Sequence, residues 1–351
     1  MALTEVNLFR IDGDLGTISN VQISALNGGP LSGARNRIIN GDMRIAQRGT
    51  SVALGTTPTY FLDRFAGLYS TSVTGTLSQQ STGGLAGFTN CARAQRTSGQ
   101  TATGNLSVIQ ILETLNCTDL AGGSVTLSFW ARAGANYSAT GSGLTAAVYT
   151  GTGTDQSASS FMSGSWTGQT AIINSGATLT TSWQKFTLTG SVGASATQLG
   201  VIFQGSLTGT AGANDFFEIT GVQLEPGTVA TPFERRSYGQ ELALCQRYCW
   251  VFGNSDNAPF GSGYETATIG KTSAALPVAM RATPTFSSTA ANTFAIMDSG
   301  SSGRSGTAIV LDLASPTAVA VNLSCSGTTA NAGCILRTAS ATATMTFNAE
   351  L

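Results

Sequence analysis

Residues 216–249, FFEITGVQLEPGTVATPFERRSYGQELALCQRYC, hold a strand, its stop and a capped helix in one short run. Phe217, Ile219, Val222 and Leu224 read as a strand, kinked where Gly221 interrupts the alternation. Glu225-Pro226-Gly227 ends it, because proline removes a ladder donor and glycine permits the turn. Ser237, with Gln240 three residues later, is the signature of a capping box. Tyr238, Leu242, Cys245 and Cys249 follow at helical spacing and predict a short linking helix over residues 237–249. One β domain ends in this stretch and a second begins.

Upstream, residues 35–236 read as the main β domain. Val125, Leu127 and Phe129 alternate with Thr126, Ser128 and Trp130, the period of a half-buried strand. Leu106, Val108, Ile109, Ile111 and Leu112 are more continuously apolar, as in a strand covered on both sides. Leu144–Tyr149, Ala171–Ile173, Lys185–Leu188 and Leu199–Phe203 are further strands, each bounded by Gly, Ser or Asn. Strands at this spacing without a strong helix between them predict a sandwich or jelly roll, with a barrel as the alternative.

Downstream, residues 250–351 form a second β region. Leu276, Val278 and Met280 alternate before Ala282-Thr283-Pro284, and Ile309, Leu311, Leu313 and Val319, Val321, Leu323 flank Ser315-Pro316. Met345, Phe347, Ala349 and Leu351 alternate to the last residue, which predicts a C-terminus buried in a sheet. Its small side chains make a thin core that would gain from burial between copies. The expected class is mostly β: a jelly-roll β-sandwich, a short linking helix and a second, C-terminal β-sandwich domain. Residues 1–34 carry too little apolar surface for their own core and read either as an arm that lies on another subunit or as a loose tail.

Composition narrows the function. Charged residues are 10% of the chain, against a usual quarter or so. Hydrophobic residues at 41% are too many for disorder, so the 43 glycines mark turns in a hydroxyl-rich β protein. A net charge of −1 with 17 Lys+Arg argues against a nucleic-acid partner. No long apolar run predicts membrane insertion, and the N-terminal residues lack the features of a signal peptide, so folding in the cytoplasm is expected. Cys91, Cys117, Cys245, Cys249, Cys325 and Cys334 form no CxxC pair, and histidine is absent, so no metal site and no cofactor are expected. Free buried thiols are the expectation, with Cys325 and Cys334 placed to face each other across a hairpin.

The same absence of histidine removes Ser-His and Cys-His nucleophile systems. A glycosidase would need two carboxylates in one cleft. Asp42, Asp63, Glu113, Asp119, Asp155, Asp215, Glu218 and Glu225 mostly stand beside turns or strand ends, where capping or solvation explains them. No catalytic residues, and hence no enzyme, are expected. Sugar binding is the sharper expectation, because aromatic faces stack on pyranose rings while amides and hydroxyls complete the hydrogen bonds. Trp130, Tyr149 and Trp166 are the candidate glycan-binding residues, with Trp166 in SGSWTGQ (163–169) expected to be exposed. Core packing is nevertheless the first reading for Trp130 and for Trp183, because both lie in strands otherwise consistent with burial.

Several stretches carry a family resemblance. Arg35–Thr50 (RNRIINGDMRIAQRGT), Asp63-Arg64-Phe65, Ser124–Arg132 (SVTLSFWAR), Ser182–Thr187 (SWQKFT), Leu276–Thr285 (LPVAMRATPT) and Phe347–Leu351 (FNAEL) resemble landmarks of tailed-bacteriophage fibre and other virion proteins. In those proteins a jelly roll similar to carbohydrate-binding modules runs through a short helix into a C-terminal β domain. The resemblance implies a virion protein assembled in the host cytoplasm and released by lysis. It implies docking on other virion proteins through residues 1–34, a distal domain at 250–351, and attachment to a host surface glycan. A head, neck or baseplate decoration protein is the alternative, and a polysaccharide depolymerase a third. It also implies a homotrimer, with Leu242, Cys245 and Cys249 buried together and Arg235, Arg236 and Glu241 pairing between chains; a helix packed on its own domain is the competing reading. Modules of this kind often hold calcium near the last strand, but Thr220 and Gly221 stand where an acidic pair is expected.

Overall fold

The computed structural model describes residues 35–70, 73–298 and 303–351. The predicted arm at residues 1–34 lies outside them. The first unit is a two-layer jelly roll of twelve strands. In chain order these are β1 (Ser51–Ala53), β2 (Thr59–Tyr60), β3 (Ala66–Tyr69), β4 (Gly75–Ser81), β5 (Asn90–Arg96), β6 (Gly104–Leu112), β7 (Ser124–Ala133), β8 (Gly143–Gly151), β9 (Thr170–Thr178), β10 (Gln184–Ser191), β11 (Gln198–Leu207) and β12 (Phe216–Pro226). One sheet has the order β1-β4-β5-β12-β7-β10 and the other β2-β3-β6-β11-β8-β9, all neighbours antiparallel.

Alternation fills the space between them. Leu127, Phe129, Phe217 and Ile219 of the first sheet meet Val108, Val148 and Phe203 of the second in one core, with Phe129 edge-on to Phe203 at 4.8 Å. The second sheet is covered outside as well: a short helix, α1 (Ala158–Met162), lays Phe161 over Ile109, Ile111 and Ile202. That double cover explains the nearly unbroken apolar run of β6. In β12 the register slips between Thr220 and Gln223, and Gly221 has φ 59°, so the predicted kink is a bulge that needs glycine's left-handed freedom.

The linking helix, α2 (Tyr238–Gln246), opens with the predicted capping box of Ser237 and Gln240. It stops short of the predicted end. Cys249 begins a strand instead, since Cys-Trp-Val-Phe favours extended backbone. The second unit packs a three-stranded sheet on a seven-stranded one. Its strands are β13 (Cys249–Gly253), β14 (Pro259–Glu265), β15 (Ile269–Ala275), β16 (Thr285–Ser288), β17 (Phe294–Met297), β18 (Arg304–Ser305), β19 (Ala308–Ala314), β20 (Ala318–Ser324), β21 (Gly333–Thr338) and β22 (Thr344–Asn348). The orders are β13-β22-β16 and β18-β17-β21-β14-β15-β20-β19. Trp250, Phe260 and Phe347 stack between the sheets. The alternation of Leu276, Val278 and Met280 belongs to a bend rather than a strand: Leu276 and Met280 are buried, but their amides donate to Thr317 and Pro316 outside any ladder.

Candidate functional site

The predicted aromatics do not converge. Trp166, expected exposed, is 3% exposed: its Nε1 donates to the Ser157 carbonyl at 3.1 Å and its ring lies 4.8 Å from Phe161. Tyr149 stands edge-on to the same Phe161 at 5.5 Å. Both are consumed in closing the outer face of the second sheet, whose isoleucines need cover more than the loop needs solvent. Trp130 lies on the outward face of the other sheet, opposite Lys185 and Thr220 in the register, and is half-buried. Trp183 is not core either. It donates to the Thr82 carbonyl and carries the Arg132 guanidinium 4.8 Å above its ring.

The cysteine expectations divide. All six cysteines are free and buried; Cys325 directly follows β20 and Cys334 lies on β21, strands that do not neighbour each other, so the two do not face across a hairpin. Cys245 packs with Ile39, Ile45 and Tyr248, with Leu242 partly buried against them, so the predicted seam is covered within one chain. Cys249 is likewise buried, and Arg236 reaches Glu241 of its own chain at 3.3 Å. The helix therefore packs on its own domain, the competing reading, because its apolar side is needed to join the two units.

That join is the most charged part of the interior. The C-terminal Glu350 is ion-paired with Arg48 at 3.0 Å and with Arg64, and all three are largely buried. Arg64 lies 3.5 Å from the Tyr248 ring centroid and donates to the Ile111 carbonyl. Burial works against its charge, but Glu350 together with Tyr248 and Tyr60 outweighs that and holds the guanidinium above its ordinary range. Arg281 donates to the carbonyls of Ala349 and Glu350, and the Leu351 carbonyl accepts from Tyr60 Oη at 2.9 Å and from the Ala158 amide. Beside it Glu113 accepts from Arg247 at 2.6 Å and Tyr248 Oη at 2.8 Å, and burial pushes that phenol up to about 12. The last two residues thus clamp the C-terminal sandwich onto the jelly roll. The run ending at Leu351 signalled a buried C-terminus, but no spacing in the sequence links Arg64 to Glu350.

Against this clamp opens a groove of about 480 Å³. Its floor is the outward face of the three-stranded sheet, where Ser287, Thr344, Thr346 and Asn348 point away from the stacked aromatics. Its wall is Gln47, Arg48 and Pro58–Tyr60 of the jelly roll. The hydroxyls of Ser287, Thr344 and Thr346 have no partner among the described residues. Arg48 is neutralised by Glu350 and also donates to Asn348 Oδ1, so the lining is close to neutral overall. Such a surface offers uncommitted donors and acceptors in a concave site beside one tyrosine.

The carboxylates named from sequence are all engaged. Glu218 sits between Arg93 and Arg132, Asp215 meets Arg96, Glu225 meets Arg35, Asp119 meets Arg37, Asp155 meets Arg281 and Asp42 meets Arg44. Asp63, fully buried behind the groove, accepts from the Gln47 amide and side chain; burial pushes its carboxyl up against the pull of Arg48. Among the described residues no three His, Cys, Asp or Glu side chains cluster to hold a metal, and no helix is long and apolar enough to cross a membrane.

No family model and no curated protein matches the chain. Solved structures do. The enzymatically active domain of tailspike protein 4 of bacteriophage CBA120 is similar at 12% identity and TM-score 0.34, over 55% of this chain and 21% of that one. The CBM22-1 xylan-binding domain from Paenibacillus barcinonensis Xyn10C is similar at 12% identity and TM-score 0.32, over 59% of this chain and 100% of that one. A carbohydrate-binding module of the β-sandwich superfamily matches at 10% identity and TM-score 0.34, over 49% of this chain and 62% of that one. This chain thus spans about a fifth of the tailspike structure.

Proposed function

We propose that this chain is a non-enzymatic structural fibre protein of a tailed-phage virion that touches host-surface saccharide through the groove between its two units. The virion setting rests on the resemblance of Arg35–Thr50, Asp63-Arg64-Phe65 and the C-terminal FNAEL stretch to phage proteins. The contact chemistry rests on one observation: unpaired hydroxyls on Ser287, Thr344 and Thr346 line a concave, near-neutral groove with the Asn348 amide and Tyr60. Sugars are bound by such convergent hydroxyl and amide groups. A neutral hexose oligosaccharide fits this lining better than an acidic one, because Arg48 is already committed to Glu350.

The test is saturation-transfer NMR of the full chain with a panel of neutral and acidic oligosaccharides. Neutral sugars should give contacts that Thr346→Trp, which fills the groove from an outward-facing position, abolishes. Binding unaffected by that variant sinks the groove. The Glu350 clamp favours a second reading, a purely architectural decoration protein held rigid across its domains. Tight binding to purified capsids or tails with no saccharide contact would select that reading, and release of reducing sugar would overturn both.

A further inference from the structure

Seven large apolar side chains are exposed among the described residues, and four of them, Tyr264, Val310, Leu313 and Ile335, share one face of the seven-stranded sheet. The register establishes this. On β20 the buried Val319, Val321 and Leu323 alternate with Ala320 and Asn322, which face outward. Val310 lies opposite Asn322 and Leu313 opposite Ala320. Across β15, Lys271 pairs with Asn322 and with Tyr264, while Ser273 pairs with Ala320 and with Ser262, itself opposite Ile335. Nothing in the chain's described residues covers this face.

Leu313 makes the case sharper. Simple alternation would place it inside beside Ile309 and Leu311, but the register slips between Leu311 and Leu313 and turns it out, leaving it 71% exposed. The same bulge, carrying exposed Asp312, blunts the edge strand β19 against strand pairing. The edge is guarded while the face keeps four exposed apolar side chains among Ser262, Lys271, Ser273 and Asn322.

We propose that this face docks against a second copy of the chain. Seven strands about 4.8 Å apart and some 20 Å long give roughly 600 Å² in projection. That approaches the ~800 Å² of accessible surface each partner contributes to a stable complex. Its charges suit a copy of itself. Lys271 on β15 and Asp312 in the β19 bulge stand on strands separated by β20 and can pair reciprocally across a symmetric contact. Arg337, also outward, is committed to the Thr338 carbonyl at 3.4 Å. The saccharide groove lies on the opposite sheet of the sandwich, so docking leaves it open and brings several grooves into one particle, where linked sites gain avidity. The docking itself does not rest on the saccharide reading.

Sedimentation velocity of the full chain tests it. The wild type should self-associate, whereas Leu313→Glu/Ile335→Glu, both at exposed positions, should run as a monomer with an unchanged β-type circular dichroism spectrum. Tyr264→Lys probes the same face independently and should also give monomer. Leu115→Glu, exposed elsewhere, should leave association intact. Zero-length carboxyl–amine crosslinking should join Lys271 of one copy to Asp312 of another. A monomeric wild type overturns the proposal, as does an assembly that survives both face variants or crosslinks only elsewhere.

Discussion

The jelly roll and the C-terminal sandwich bury their chains by different means. In the jelly roll, two six-stranded sheets enclose an aliphatic core, and one sheet is covered again outside by α1, Trp166 and Leu351. The C-terminal sandwich has a three-stranded sheet too narrow to cover its seven-stranded partner. It compensates with stacked rings, Trp250 and Phe347 at 5.3 Å and Phe260 and Phe347 at 5.9 Å, and by lending its last residues to its neighbour. A large unit can close its own surface. A small one holds itself together through contacts with others, which accounts for both the Glu350 clamp and the uncovered sheet face.

The largest expected effect comes from breaking the clamp. Glu350→Gln keeps the shape but leaves Arg64, 1% exposed, without its counter-charge. A loss of about 3–5 kcal/mol is expected for removing one partner of a buried pair. Denaturant unfolding should then split into two transitions, the C-terminal unit melting first; one unshifted transition would show that the two units are not coupled this way. Next comes Gly221→Ala, which tests the larger unit alone. A Cβ there would lie 2.7 Å from Phe88 at φ 59°, so a cost of about 1–3 kcal/mol should fall on the jelly roll. The smallest effect should come from the connection: Ser237→Ala removes the capping box at about 1 kcal/mol and leaves unfolding unsplit. Equal effects from all three substitutions would erase the distinction between the units.

Much of the fold was legible because strands announce themselves locally. The β7, β8, β10 and β11 positions follow from alternation bounded by Gly and Ser, and the β12 kink from a glycine set between apolar residues. Helix α2 was legible at its start, where the cap is a local signal, and not at its end, where pairing of Cys249 with Asn348 across the second unit decides. The site was far less legible. Trp166 sits in a sequence that looks like a turn, and only the need to cover Ile109, Ile111 and Ile202 buries it. Leu313 looks like core, and only the bulge beside it says otherwise.

By itself the amino-acid order determined that this chain is a hydroxyl-rich β protein in two parts joined by a capped helix, because period, turn residues and caps act over a few neighbours. Tertiary structure alone decided which aromatics meet solvent, that Arg64 and Glu350 clamp the two parts, and that Thr346 and Tyr60 share a groove. Those outcomes depend on which faces meet across hundreds of residues, and the free energy of burial and of ion pairing is settled only once they do.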